Sequence, residues 1–159
     1  MSSVGYKVSA SAAVALTAAT ARTALMVLTP AQFGACLTRV GIGFLGVAAD
    51  GVPVFWEVVR STNASNSTPG TGNTNENANI IQTRGRAIAA GFTAFSASTA
   101  EPTVLTQLDS GILTPAGGLL IDAKELGKEL ECDVSAGLGI RLTAPADVNA
   151  RVALHFERL

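Results

Sequence analysis

The chain is short of charged residues and of aromatic rings. Charged residues make up 14% of its 159 positions, against a typical share of about 25% in soluble domains. Aromatic residues make up 5%, with a single tryptophan and a single tyrosine. So few charges indicate a surface rich in small polar residues and alanine, or a surface largely covered by partners. Both properties are typical of a subunit that works within an assembly.

Residues that carry out catalysis are scarce as well. His155 is the only histidine, and it alternates onto the polar face of a predicted C-terminal strand. No acid, base, nucleophile and oxyanion donor can be named together, so we predict that the chain is not an enzyme and has no catalytic residue. The stretch from Gly41 to Gly46 satisfies GxGxxG, but Pro53 follows too closely for the helix that a dinucleotide site requires. We therefore predict no cofactor.

The two cysteines are candidates for a disulfide or a metal site, and a short acidic stretch is a candidate for a metal site. Cys36 and Cys132 lie far apart in sequence, and spacing alone does not show whether they meet. We interpret them as two small buried hydrophobic residues. Glu129, Glu131 and Asp133 alternate along a predicted strand, whereas calcium ligands normally converge from a loop. We therefore predict no metal site.

Nucleic acid and membrane are not expected partners. The formal net charge is -1, and the only close pair of basic residues on a strand-like segment is Arg84 and Arg86. Phosphate binding normally needs a larger cluster of lysine and arginine. Residues 9–28 are apolar and rich in alanine, but threonines and Arg22 interrupt them before the ~20 apolar residues of a membrane span are reached. We expect a soluble protein made in the cytoplasm.

The dominant pattern is a series of short apolar runs that alternate with period two and are separated by turn residues. The clearest predicted strand is 54–60, which is rich in β-branched and aromatic residues. Its faces consist of alternate residues, Val54, Trp56 and Val58 on one and Phe55, Glu57 and Val59 on the other. Both faces carry apolar groups, so we expect a second sheet or a neighbouring subunit on each side.

Strands of this kind recur along the whole chain. Further strands are predicted at 6–9, 24–28, 36–47, 80–83, 88–95, 103–108, 118–122, 129–132, 139–143 and 149–157. Asp50-Gly51 predicts a hairpin between 36–47 and 54–60, and Asp109-Ser110-Gly111 predicts a turn. This pattern predicts an all-β fold, a jelly-roll-like β-sandwich. A single short helix within 12–24 remains an alternative.

Two segments differ from the predicted sandwich. Residues 61–79 contain no large apolar side chain and are rich in Asn, Ser, Thr and Gly, which predicts a long exposed polar loop. Residues 1–28 are interpreted as an N-terminal arm or as the first strands. The sandwich domain is then predicted to span residues 29–159.

Several short motifs together resemble a family of phage proteins. They are Pro53-Val54, Val58-Val59-Arg60-Ser61-Thr62, Arg84-Gly85-Arg86, Ala100-Glu101-Pro102-Thr103-Val104-Leu105, Gly117-Gly118-Leu119-Leu120-Ile121, Ile140-Arg141-Leu142-Thr143-Ala144-Pro145 and Val148-Asn149-Ala150-Arg151. Over residues 33–157 the chain resembles small proteins encoded beside the structural genes of tailed bacteriophages. These are similar in size to capsid decoration, or cement, proteins.

The resemblance implies a non-enzymatic virion protein. It would be made in the host cytoplasm, bind the lattice of the major capsid protein at the capsid surface and stabilise the head. The implied oligomer is a homotrimer. Candidate contacts with partners or subunits are Val54, Phe55, Trp56, Val58, Arg84 and Arg86. The alternative is a tail or fibre module that binds a host-surface carbohydrate, which would place aromatic residues on an exposed face.

Overall fold

All strands in the described part of the chain belong to two antiparallel sheets. A computed structural model describes residues 4–45, 52–61, 73–102, 104–115, 119–125 and 127–159. The strands in the described part are β1 (Gly5–Ser9), β2 (Val14–Leu16), β3 (Ala21–Leu28), β4 (Ala35–Leu45), β5 (Val54–Ser61), β6 (Thr74–Asn75), β7 (Ile81–Arg84), β8 (Thr93–Ser96), β9 (Leu105–Leu113), β10 (Leu119–Ala123), β11 (Leu130–Cys132), β12 (Gly137–Thr143) and β13 (Val148–Arg158). A 3-10 helix covers Asn77–Asn79.

The strands divide into two sheets, which we call sheet A and sheet B. Sheet A has the order β10-β4-β13-β1-β7, with β11 also pairing with β4 and β2 also pairing with β13. Sheet B has the order β6-β8-β3-β12-β5-β9. Every pairing is antiparallel. The prediction of an all-β sandwich is confirmed at this level, while the jelly-roll topology stays a prediction.

The hydrophobic core lies between the sheets and follows the alternation of the strands. In β13, Val152, Leu154 and Phe156 are buried in the core, whereas Arg151 and His155 lie on the outer face. Four aromatic rings meet at one end of the core, with centroid separations from 4.9 to 5.9 Å. These rings belong to Tyr6, Phe33, Phe92 and Phe156. The few aromatic residues of the chain are thus used mainly to fill the core.

The predicted hairpin between residues 36–47 and 54–60 is wrong. Strand β4 lies in sheet A beside β13 and β10, whereas β5 lies in sheet B beside β12 and β9. The turn predicted at Asp50-Gly51 lies outside the described residues. The chain passes from one sheet to the other here because each strand pairs with a segment distant in sequence. Local turn signals do not encode that choice.

The N-terminal residues belong to both sheets. Strands β1 and β2 pair with β13 in sheet A, and β3 pairs with β12 and β8 in sheet B. The alternative of a helix within 12–24 is wrong, since this stretch holds β2, a turn and the start of β3. Ala19 occupies the left-handed region in that turn, with φ 56°. Threonines on either side favour strand over helix.

Three other predicted boundaries also differ from the structure. The turn at Asp109-Ser110-Gly111 lies inside β9, and Gly111 packs directly over the indole of Trp56. The strand predicted at 88–95 is confined to Thr93–Ser96. Residues 62–72 of the predicted polar loop lie outside the described part, but residues 73–79 contain β6, the 3-10 helix and a buried glutamate.

The buried glutamate in residues 73–79 is Glu76, and its side chain has no exposed surface. Its Oε1 accepts hydrogen bonds from the Ser11 backbone N–H at 3.0 Å and from the hydroxyls of Ser11 and Ser96, and its Oε2 accepts one from Asn79. Burial by itself would raise the pKa of Glu76, but these donors outweigh it and lower the pKa. Glu76 therefore ties the β1–β2 connection of sheet A to β8 of sheet B.

The two cysteines cannot bond to one another in this register. Cys132 lies opposite Ala35, and Glu131 lies opposite Cys36, so the cysteines are one residue out of step on neighbouring strands. Their side chains point to opposite faces of sheet A, and both thiols are free and buried. Burial raises the pKa of each thiol to about 11, with Glu129 and Glu131 adding to the effect at Cys36.

We expect Glu76→Ala to destabilise the chain by about 2–4 kcal/mol, because it leaves several buried donors without an acceptor. Glu125→Ala, at an exposed ion pair, should change the free energy of unfolding by less than about 0.5 kcal/mol. Denaturant unfolding at neutral pH measures both.

Since the folded pKa of Glu76 is lowered, its charged form stabilises the chain above pH 4.5, and that stabilisation is lost as the pH falls through the folded value. Equal losses for the two variants would contradict this assignment.

We expect both thiols of the native chain to react very slowly with Ellman's reagent. With a pKa of about 11, only about one thiol in a thousand is ionised near pH 8. Unfolding in guanidinium should expose both thiols and accelerate the reaction at least about 100-fold. Intact mass should be the same with and without reductant. One fast thiol in the native chain, or none after unfolding, would contradict the assignment.

Candidate functional site

The predicted contact residues of β5 divide between the core and the surface. Val54, Trp56 and Val58 are buried between the sheets, and Trp56 is only 8% exposed. These side chains contact the chain's own core, so a partner cannot reach them on the folded chain. Phe55 is 38% exposed on the outer face of sheet B. The prediction of a partner contact on β5 therefore remains for Phe55 alone.

The remaining predicted contacts lie at the end of β7. The Arg84 guanidinium forms an ion pair with Glu157 of β13. Arg86 is exposed just beyond this strand. The Gln82 side chain donates to the carbonyl oxygens of Arg84, Gly85 and Arg86 and so holds this turn in place. The two arginines lie near each other but do not form a closed site.

The outer face of sheet B carries a largely buried ion pair. Arg141 donates to both carboxylate oxygens of Glu57, at 2.7 and 3.0 Å, and Glu57 is almost fully buried. Glu101 accepts hydrogen bonds from the backbone N–H and the hydroxyl of Thr23. The Glu57 hydrogen bonds and charge, together with the charge of Glu101, raise the pKa of Arg141. Every member of this group has a partner, which indicates a structural role.

The outer face of sheet A contains a groove that we call the basic trough. Its volume is about 380 Å³. Its lining consists of Lys7, Ser9, Ala10, Arg39, Gly41, Ile42, Gly43, Leu119, Ile121, Arg151, Val152, Ala153 and His155. The trough therefore has cationic, small and aliphatic residues and the imidazole of His155, and none of its described lining residues is acidic or is Phe, Tyr or Trp.

The shape of the trough follows from the register of four neighbouring strands. Gly41 of β4 lies opposite Ala153 of β13, which in turn lies opposite Ser9 of β1. Gly43 lies beside Leu119 of the edge strand β10. The middle of the sheet thus presents small side chains as a floor, and Leu119 stands above it at the edge. Glycines that would be weak strand residues elsewhere make room here.

The charges of the trough are set by the same register. Lys7 lies directly opposite His155, and His155 lies directly opposite Arg39, so three basic side chains form a row across three strands. A charged imidazole at this position would be repelled by both neighbours, since like charges directly opposite one another destabilise a sheet. Burial and then the charges of Arg39 and Lys7 lower the pKa of His155. In the described part of the chain, Lys7, Arg39 and Arg151 form no ion pair.

Sequence reasoning did not identify the trough. Its cations stand at positions 7, 39, 151 and 155, so no basic run is visible along the chain. The one visible signal was the placement of Arg151 and His155 on the polar face of the last predicted strand. The prediction that nucleic acid is not a partner is untested by this arrangement.

An acidic segment lies on the other side of β4 from the trough's centre. Glu131 of β11 is exposed, and it pairs with Cys36 of β4. The charges of Glu129 and Glu131 both act on the Cys36 thiol, which places the two carboxylates near it. We call Glu129 and Glu131 the acidic strip. Within the described residues, no group of three or more histidine, cysteine or acidic side chains is arranged to hold a metal ion.

Comparisons with known proteins identify no relative. No protein-family model, no curated protein and no solved structure matches the chain. No helix in the described ranges is both long enough and apolar enough to cross a membrane. The trough and the strand edges are therefore interpreted from their own geometry.

We expect His155 to titrate below its ordinary pKa of 6.5, because burial and two neighbouring cations disfavour its charged form. Lys7→Gln combined with Arg39→Gln should raise this pKa, and Arg86→Gln, outside the trough, should leave it unchanged. The imidazole signal in an NMR pH titration measures each value. Because the folded pKa is lowered, protonation of His155 should reduce the free energy of unfolding as the pH falls below 6.5. A midpoint above 6.5 would contradict the assigned surroundings.

Proposed function

We propose that the chain is a non-enzymatic structural protein of a tailed-phage particle, a capsid decoration protein that binds the lattice of the major capsid protein and stabilises the head. The phage assignment depends on the sequence resemblance described above. The wider proposal, a subunit that works by binding other protein surfaces, is supported by the exposed edge of sheet B. That edge is the observation on which the structural role depends.

Strand β9 forms this edge and is only partly protected, by a bulge opposite Val58 and Val59 and by the paired charge of Asp109. Within the described residues it pairs only with β5, so one side of its backbone has no strand partner there. Its sequence, LTQLDSGIL, contains no proline and no basic residue. Its single charge, Asp109, is paired with Lys124. Soluble monomers usually blunt such edges with lysine, proline or a covering segment.

Exposed apolar side chains accompany the open edge. Ile112 of β9 is 71% exposed, and it lies directly opposite Phe55 of β5. The two side chains form an apolar pair at the border of sheet B, adjacent to the free backbone of β9. A neighbouring protein that adds a strand here would satisfy backbone groups and bury both side chains at once.

A decoration protein requires this combination of features. It needs rigid sheets, surfaces that bind neighbours and many modest contacts repeated over the lattice. The low charge content and the fully satisfied Glu57–Arg141 pair fit a rigid subunit that holds its shape under load. The carbohydrate-binding alternative gains less support, because Trp56 and Tyr6 are buried and Phe55 is the one strongly exposed ring.

We expect the purified chain to bind empty heads assembled from the major capsid protein of the phage that encodes it. Ile112→Lys places a charge at the open edge and should weaken that binding at least about tenfold. Ile81→Lys is the matched control, since Ile81 is 61% exposed on β7, at an edge of the other sheet. Co-sedimentation over a concentration series measures occupancy, and circular dichroism checks that each variant is folded.

Two outcomes would reject the proposal. Wild-type protein that fails to co-sediment with the heads would exclude a capsid-binding role. Equal weakening by Ile112→Lys and Ile81→Lys would show that the edge of β9 is not the contact surface.

A further inference from the structure

The basic trough carries uncompensated positive charge. Lys7, His155 and Arg39 stand in one row on neighbouring strands, and Arg151 stands four residues from His155 along β13. Arg151 donates to the carbonyl oxygen of Ser11, at 3.3 Å, and no carboxylate lines the trough. The charges of Lys7, Arg39 and Arg151 are therefore not offset by any carboxylate in the described lining. An anionic surface placed against the trough would offset them.

The other side chains of the trough indicate which kind of anion fits. Leu119 is 66% exposed and Ile121 is 50% exposed, and both stand on the wall formed by β10. Single-stranded nucleic acid and sugars are usually bound through several large aromatic rings, and the described lining has no Phe, Tyr or Trp. A groove with aliphatic and cationic walls is suited to a polypeptide that carries both carboxylates and apolar side chains.

The chain itself contains a segment of that composition. The stretch Glu129-Leu130-Glu131 supplies the carboxylates, while Leu130 packs against the chain's own core, and Leu130–Cys132 is the edge strand β11. Within the described part β11 pairs only with β4, so its outer edge is open there. Glu131 is exposed and neither carboxylate of the acidic strip forms an ion pair with a described residue. The acidic strip thus lacks cations as the trough lacks anions.

We propose that copies of the chain associate through sheet A, with the acidic strip of one copy lying against the basic trough of the next. Both halves lie on the outer face of sheet A, so two copies can meet face to face about a two-fold axis, with each acidic strip against the other copy's trough. This inference rests on the proposed structural role, and it adds a surface, sheet A, that is separate from the β9 edge of sheet B.

The contact is tested on the purified chain alone, by sedimentation equilibrium at low and at high salt. The wild type should form a defined oligomer at low salt, and its dissociation constant should rise at least about tenfold at high salt because the charges are screened. Lys7→Glu/Arg39→Glu and Glu129→Lys/Glu131→Lys should each weaken association at least about tenfold, since they set like charges against one another.

A mixture of the Lys7→Glu/Arg39→Glu and Glu129→Lys/Glu131→Lys variants is the most specific test of the contact. In an equimolar mixture each reversed trough can meet a reversed strip, so association should return to within about threefold of the wild type. Arg86→Glu is the control for charge reversal, because Arg86 is exposed, does not line the trough and lies just beyond β7, at the opposite edge of sheet A from the acidic strip. This control should associate as the wild type does, and circular dichroism should show that all variants are folded.

The outcomes separate this inference from the proposed function. A wild type that stays monomeric, variants that associate normally, or a mixture that fails to recover would overturn the sheet A contact. Any of these results combined with binding to empty heads would leave the capsid role standing. Salt-sensitive association with rescue in the mixture, but no binding to heads, would support the contact and overturn the capsid role.

Discussion

The register of the last strand, β13, is the constraint on which most of this structure depends. This strand pairs with β4 on one side and with β1 and β2 on the other, so it joins the two ends of the chain in the middle of sheet A. Its alternation buries Val152, Leu154 and Phe156 and exposes Arg151 and His155. A slip of one residue would place those charged groups in the core. The core and the basic trough therefore specify one register together.

The few charges of the chain are used in distinct ways. Glu76 and the pair of Glu57 and Arg141 are buried, and each is fully hydrogen bonded. Lys124 connects Asp109 of sheet B with Asp122 of sheet A and fastens one edge of the sandwich. Breaking any of these groups leaves a buried charge or donor unpaired, which costs more than the intact interaction contributes. They favour a single arrangement of the two sheets.

The two sheets present different kinds of exposed surface to neighbouring proteins. Sheet B presents an open edge and the apolar pair of Phe55 and Ile112, which suit strand addition by a neighbouring protein. Sheet A presents a groove with unmatched positive charge and, beyond β4, an acidic strip. A subunit with two such surfaces can bind its own copies with one and a lattice with the other.

The amino-acid sequence by itself determined the period-two alternation, the all-β class and the orientation of most strand residues. The inward and outward faces of β13 follow directly from its alternation, and the absence of a longer helix follows from the short apolar runs between turn residues. These features are local, because each depends only on residues a few positions apart. The alternation of β5 also predicted that Trp56 and Phe55 face opposite ways.

Only the tertiary structure decided which strands are neighbours. It placed β4 and β5 in different sheets, buried Glu76 within a segment that looks like a polar loop, and covered Trp56 with Gly111 of β9. It also gathered Lys7, Arg39, Arg151 and His155 into one trough. The physical reason is that strand pairing is a competition among many segments with similar local patterns. The strand arrangement that forms is the one that buries the most apolar surface while its polar groups keep hydrogen-bond partners. That balance depends on the whole chain.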